Sequence, residues 1–166
     1  DNAITSFTRS LFVPLGIFRD WMLIYFLMPL KATFQSLPWT GVMLLVGAIG
    51  WKLGRWKICV TVMLFVFFIA SSGYWVRAMI TVYMVFASLL ICSMIGIPLG
   101  IWASKKENRS KLVLNICDVF QTFPSFIYLL PAIMLFQISD VSAIFAIVIY
   151  SSIPMIRYTI FGLRSV

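Results

Sequence analysis

Ionisable side chains are scarce in this chain, and one of them lies inside an otherwise apolar stretch. Of the 166 residues, 62% are hydrophobic, five are acidic and none is histidine. Asp118 stands within a long apolar run and is followed closely by Gln121, Thr122, Pro124 and Pro131. A charged residue near the centre of a membrane-spanning helix costs about 2.5 to 3.5 kcal/mol on insertion scales, and such residues face a bundle interior or an aqueous path. This stretch therefore predicts a polar route between helices.

Arg157 offers a partner for this carboxylate. Asp118 follows Lys111, at the edge of the apolar run, by seven residues, which corresponds to roughly 10 Å along a helix. Arg157 lies at a similar depth on the returning run, and pairing would spare each charge from facing lipid alone. The alternative is that Asp118 extends its side chain to the inner membrane surface or caps a helix after a break.

Prolines in the last three apolar runs predict bent helices. Pro98, Pro124, Pro131 and Pro154 fall within or near these runs, and each removes a backbone hydrogen bond and favours a kink. Pro124 and Pro131 are seven residues apart, so both breaks are expected to face nearly the same way. Polar backbone freed by such breaks is tolerated in a membrane only beside protein or a water-filled cavity, which favours a transport path.

Other chemistry finds little support in the sequence. Without histidine a Ser-His-Asp triad is impossible, and no GxxxxGK(S/T) motif is present for nucleotide hydrolysis, so we do not expect an enzyme. Cys59, Cys92 and Cys117 lie in apolar runs without CxxC spacing and are expected to be small buried hydrophobes, with no metal or cofactor site. The net charge of +8 is divided among several loops, which favours membrane topology over nucleic-acid binding.

The composition indicates a membrane environment. Only 11% of the residues are charged and the mean hydropathy is +1.03, whereas soluble domains have roughly 25% charged residues. Apolar runs of about 18 or more residues are long enough to cross a bilayer as helices, and the alternating polarity of membrane barrel strands is absent. We predict an all-α polytopic membrane helical bundle of about five transmembrane helices, at 39–51, 58–75, 78–103, 112–138 and 141–160.

Basic residues between these runs predict the orientation. The links at 52–57 and 105–111 hold three and four lysines or arginines respectively. Short loops rich in these residues stay in the cytoplasm. The N-terminus is therefore expected outside, and residue 166 is expected on the cytoplasmic side.

The N-terminal segment 1–37 is less apolar than the predicted spans. Between Arg19 and Lys31 it has only about ten strongly apolar residues, too few to cross a bilayer comfortably. Trp21 and Tyr25 suit a membrane interface. We predict an extracytoplasmic interfacial helix here, with a sixth span as the alternative.

Three stretches in the second half of the chain carry a resemblance to a known family. They read IGIPLGIWAS at 95–104, ICDVFQTFPSFIYLLPAIMLFQI at 116–138 and IYSSIPMIRYTIFGLRSV at 149–166. In this order they resemble the permease subunit of ATP-binding-cassette (ABC) importers for glycine betaine, proline and related osmoprotectants. The resemblance implies that 38–76 holds two accessory transmembrane helices and that 77–166 holds the first three helices of the permease core.

Permeases of this family work with other subunits. The resemblance implies a second permease chain in a homodimer, cytoplasmic ABC ATPase subunits, an extracytoplasmic substrate-binding protein and surrounding lipid, in the bacterial cytoplasmic (inner) membrane. It also implies a translocation path or gate that includes Asp118, Gln121, Thr122, Pro124, Tyr128, Pro131, Pro154 and Arg157. The chain ends where the EAA loop that docks the ATPase would begin, so we expect a truncated permease.

Two other functions stay open at this point. One is a permease of another ABC importer branch, for amino acids or trimethylamine oxide, and the other is a channel or scaffold without ATP coupling. The cargo itself also stays open, because the family places its selective aromatic cage in the binding protein.

Overall fold

The computed structural model describes residues 13–165, and helices make up almost all of them. The prediction of an all-α bundle is confirmed, and the described residues contain no strand. The helices are α1 (Val13–Gln35, with a π-helical stretch at Leu23–Leu27), α2 (Trp39–Ser71), α3 (Trp75–Ser104), α4 (Glu107–Thr122), a 3-10 turn (Ser125–Tyr128), α5 (Leu129–Phe136) and α6 (Asp140–Arg164).

Among the described residues, four helices are long and apolar enough to cross a membrane. They are α1, α2, α3 and α6, where α2 is counted over its full 33 residues although its backbone breaks at Gly54 and Arg55. A fifth span is present if the bent pair of α4 and α5 counts as one. Helix α1 has 23 described residues, because the apolar residues from Val13 onward extend it ahead of Arg19. The interfacial location predicted for 1–37 stays a prediction, and residues 1–12 lie outside the described part.

The chain divides into two compact units, which we call the first unit (residues 13–27 and 84–165) and the second unit (28–83). Within the second unit, α2 leaves helical geometry at Gly54 and Arg55, where Arg55 has a φ of 57°. A Cβ atom on Gly50 would lie 3.1 Å from Cα of Cys59, whereas nine residues along a straight helix span about 13 Å. Helix α2 is therefore a tight hairpin. Its two arms coincide with the helices expected at 39–51 and 58–75, except that the second arm ends at Ser71.

Within the first unit, α3 and α6 cross in close contact at two glycines of α3. A Cβ atom on Gly100 would lie 2.5 Å from Cβ of Thr159, and one on Gly96 would lie 2.8 Å from Cγ of Met155. Small residues four apart on one helix let two membrane helices approach closely. This crossing fixes α6, whose buried residues are Val141, Ser142, Ile144, Ala146, Val148, Ser152, Ile153 and Ile160.

The predicted effects of the prolines are only partly correct. Phe123 and Pro124 adopt extended backbone conformations, and the helices on either side of them are bent by 97°, as the sequence predicts. The kink expected at Pro131 is wrong, since Pro131 lies in the first turn of α5, where no intrahelical N–H bond is required. Helix α6 continues through Pro154 to Arg164.

Candidate functional site

The break between α4 and α5 is stabilised by hydrogen bonds to carbonyl groups at the end of α4. The hydroxyl of Thr122 donates to the carbonyl of Val119 at 2.7 Å, and that of Tyr128 donates to the carbonyl of Phe120 at 2.5 Å. The rings of Phe120 and Tyr128 also stack, with centroids 6.3 Å apart. Helix ends leave carbonyls without intrahelical partners, and these groups need other donors in an apolar environment. Thr122 and Tyr128 therefore support the bend.

Arg157 connects α6 to α4 through two side chains. Its Nη2 atom lies 3.0 Å from Oδ1 of Asp118, and its Nη1 atom donates to Oε1 of Gln121. We call these three residues the Arg157 cluster. The predicted pairing of Asp118 with Arg157 is confirmed. The helix-cap alternative is wrong, because Asp118 lies in the interior of α4, whose N-cap is Lys106.

The Arg157 cluster is only partly shielded. The side chain of Arg157 is 29% exposed and that of Asp118 is 56% exposed. A charge pair gains strength when solvent is excluded and loses it through screening when water reaches it. The exposed side of Asp118 is therefore available to water, solute or another chain, while the pair keeps α4 and α6 together.

A second arginine contacts the turn between α5 and α6, in the same unit. The Nη1 atom of Arg19 donates to Oε1 of Gln137 at 2.7 Å, and its Nη2 atom lies 2.7 Å from Oδ1 of Asp20. Gln137 has φ 61° and ψ −173°, a region used almost only by glycine. The hydroxyl of Ser142 donates to the carbonyl of Gln137. Two neighbours thus hold a strained residue in place.

The structure brings only some of the predicted path residues together. Asp118, Gln121 and Arg157 form one cluster, and Thr122, Pro124 and Tyr128 form the bend. Pro131 belongs to the start of α5, and Pro154 lies one turn before Arg157 in α6. The role of all eight in a translocation path stays a prediction.

Sequence reasoning missed the contact of Arg19 with Gln137, and no signal in the sequence pairs two residues 118 positions apart. It also missed the crossing at Gly96 and Gly100, although their spacing is a recognised signature of close helix packing in membranes. Among the described residues, no group of three histidine, cysteine or acidic side chains is placed to hold a metal ion.

These features define a polytopic helical membrane protein with one sharply bent helix pair and polar contacts between its helices. A comparison with protein-family models gives no match. The chain is similar to the trimethylamine N-oxide transport system permease protein TmoV of Ruegeria pomeroyi, with 41% identity over 99% of this chain and 24% of the relative. TmoV of Pelagibacter ubique is 38% identical over 95% of this chain and 22% of the relative.

The glycine betaine/proline betaine transport system permease protein ProW of Escherichia coli is 32% identical over 86% of this chain and 40% of the relative. The chain therefore belongs to the family of permease subunits of ABC transport systems for betaines and trimethylamine N-oxide, the family that its sequence motifs resemble. It spans about a quarter of the length of the two TmoV proteins, which are 22% and 24% covered.

Proposed function

We propose that this chain forms part of the solute path of an ABC importer for small methylated solutes such as glycine betaine, proline betaine and trimethylamine N-oxide. The observation that carries the proposal is similarity to named transport permeases over 86% to 99% of the chain. The bent span and the Arg157 cluster support it physically, since polar side chains inside a membrane bundle accompany aqueous routes.

In this proposal the chain performs no chemistry. ATP hydrolysis belongs to separate cytoplasmic ATPase subunits, solute is delivered by an extracytoplasmic binding protein, and a second permease chain completes the path. The assembly lies in the bacterial cytoplasmic membrane, with the N-terminus of this chain outside and residue 166 on the cytoplasmic side. The lysines and arginines at 52–57 and 105–111 support this orientation.

Trimethylamine N-oxide is the favoured cargo among these solutes. The relatives named for its transport match 95% and 99% of this chain, whereas the betaine permease ProW matches 86%. Amino acids and a channel without ATP coupling are the competing functions.

Uptake by the full-length permease, expressed with its ATPase and binding protein in cells lacking other osmolyte importers, tests the proposal. We expect accumulation of radiolabelled trimethylamine N-oxide or glycine betaine, and loss of accumulation when the ATPase carries an inactivated nucleotide site. Equal uptake with the inactivated ATPase would instead indicate a channel. Uptake of amino acids but not of methylated solutes would indicate another importer branch.

A further inference from the structure

A groove beside the helix break is lined by three hydroxyl groups. It lies between the 3-10 turn, α5 and α6, entirely within the first unit, and has a volume of about 400 Å³. Ser125, Tyr150 and Ser151 contribute the hydroxyls, Phe126 contributes an aromatic ring, and aliphatic side chains of α5 and α6 form the rest. Small-molecule sites in proteins have volumes of roughly 300 to 1,000 Å³, so the groove is large enough for a small solute.

None of these three hydroxyls has a hydrogen-bond partner within the part of the chain that the structure describes. Other helical serines behave differently: Ser93 donates to the carbonyl of Leu89 and Ser152 to that of Val148. An unpaired hydroxyl is unfavourable in hydrocarbon. The groove hydroxyls therefore require water, solute or another polar group as a partner.

Two of the hydroxyls lie near the middle of α6. Tyr150 and Ser151 follow the first residue of the helix, Asp140, by ten and eleven positions, which is about 15 Å along a helix roughly 37 Å long. Groups at this position lie far from both membrane surfaces if α6 spans the bilayer. In that case headgroup water does not reach them from outside, and a polar partner for them has to come from within the protein assembly.

A buried hydroxyl behind the groove provides an independent observation. Ser151 also lines a smaller cavity of about 120 Å³ between α3 and α6, together with Ser88. Ser88 is only 2% exposed, and its hydroxyl has no hydrogen-bond partner among the described residues. This cavity is large enough for water. Polar groups thus continue from the open groove into the space between the helices.

The groove side chains favour a particular ligand chemistry. No charged side chain lines the groove, so a solute without net charge avoids an unpaired charge in an apolar site. The rings of Phe126 and Tyr150 can attract a methylated nitrogen through cation-π contacts, while hydroxyls can donate hydrogen bonds to an anionic oxygen. A betaine or an amine N-oxide combines both groups in one small molecule.

We propose that this groove binds a small solute with a methylated cationic nitrogen and an anionic oxygen as the solute crosses the membrane. The proposal rests on the proposed import function and adds the residues that contact the solute. Ser125 and Ser151 bind the anionic oxygen, and Phe126 and Tyr150 contact the methyl groups.

The test measures solute protection of a cysteine in the groove. Ser151→Cys is introduced into the full-length permease after replacement of its native cysteines, and the assembled transporter in membrane vesicles is treated with a small water-soluble thiol reagent. Trimethylamine N-oxide and glycine betaine are the protecting solutes, and glycine, which lacks methyl groups on nitrogen, is the control solute. Ser72→Cys, in the exposed turn after α2, is the control position.

We expect Ser151→Cys to be labelled about tenfold more slowly when a methylated solute is present at roughly ten times its dissociation constant, because only about a tenth of the sites stay free. Glycine should not protect, and Ser72→Cys should be labelled equally in all conditions. Ser125→Cys serves as the second groove variant if Ser151→Cys does not assemble.

Two outcomes would overturn the groove proposal while leaving the import function standing. One is a groove cysteine variant that still takes up a methylated solute in an ATP-dependent manner although the solute does not protect its cysteine. The other is a groove cysteine that is never labelled in any state, which would mean that protein covers the groove. Absence of ATP-dependent uptake in the parent transporter would instead contradict the proposed function itself.

Discussion

Replacing Gly100 with alanine should separate α3 from α6. The added Cβ atom would lie 2.5 Å from Cβ and 2.7 Å from Cγ2 of Thr159, and 3.2 Å from the carbonyl oxygen of Ile156. Carbon atoms in favourable contact are about 3.5 to 4.0 Å apart, so these helices must move apart by about 1 Å. Rotation of a side chain cannot relieve the overlap, because Cβ of Thr159 is fixed to the backbone.

Overpacking of this kind costs about 1 to 3 kcal/mol, and the better helix propensity of alanine offsets up to about 1 kcal/mol of that. We therefore expect Gly100→Ala to lower the free energy of unfolding by about 1 to 2 kcal/mol. Gly96→Ala should have a smaller effect, since its nearest contact is Cγ of the flexible Met155 at 2.8 Å, and the fixed Cβ of Met155 lies at 3.0 Å and not at 2.5 Å.

Gly162→Ala is the matched control, because a Cβ atom there would meet nothing within 4 Å. It should leave stability unchanged or raise it by up to about 1 kcal/mol. Thermal unfolding of the purified full-length permease in detergent measures all three variants. A Gly100→Ala protein that unfolds at the same temperature as Gly162→Ala would refute the close crossing.

Three further contacts are tested by substitution. Asp118→Asn and Arg157→Gln should each reduce solute uptake. The double variant should lose less uptake than the two single variants combined, because both substitutions remove the same ion pair. Fully additive losses in the uptake assay would contradict the pairing. Gln137→Gly should raise the free energy of unfolding by roughly 1 kcal/mol, because it relieves backbone strain, and the unfolding temperature should rise with it. A lower unfolding temperature would show that the contact of the Gln137 side chain with Arg19 contributes more than the strain costs. Gly50→Ala should loosen the α2 hairpin, because the new Cβ atom would lie 3.1 Å from the backbone Cα of Cys59. Gly41→Ala is the control, since its Cβ atom would meet only a side-chain atom of Pro38, at 3.4 Å. Equal cross-linking between the two arms of α2 in both variants would argue against the hairpin.

The pairing of Asp118 with Arg157 could be predicted because it depends on depth alone. In a bundle of helices that run back and forth, the number of residues from a loop sets the level of each side chain. Two rare charges at one level have a strong electrostatic reason to meet. The helix break at Pro124 could also be predicted, since proline has no backbone N–H to donate the bond that would continue α4.

Other features depend on where helices begin and how they pack, which residue spacing in the sequence does not predict. The role of Pro131 depends on where α5 begins, and that start is set by the preceding 3-10 turn and not by Pro131 itself. The contact of Arg19 with Gln137 depends on how α1 packs against the turn before α6. The groove hydroxyls were overlooked because serine and tyrosine are common in membrane helices, and only the structure shows which of them lack partners.

The central claim is that the bent span lines an aqueous route whose access changes with ATP binding at a partner subunit. Phe126, next to the bend, and Phe65, in α2, are each 66% exposed, so they form a matched pair of positions. Phe126→Cys and Phe65→Cys are compared for reaction with a water-soluble thiol reagent in the assembled transporter, without nucleotide and with ATP trapped. We predict that Phe126→Cys reacts at rates that differ between the two states, while Phe65→Cys reacts only with a lipid-soluble reagent. Equal resistance of both positions to the water-soluble reagent in both states would contradict the claim.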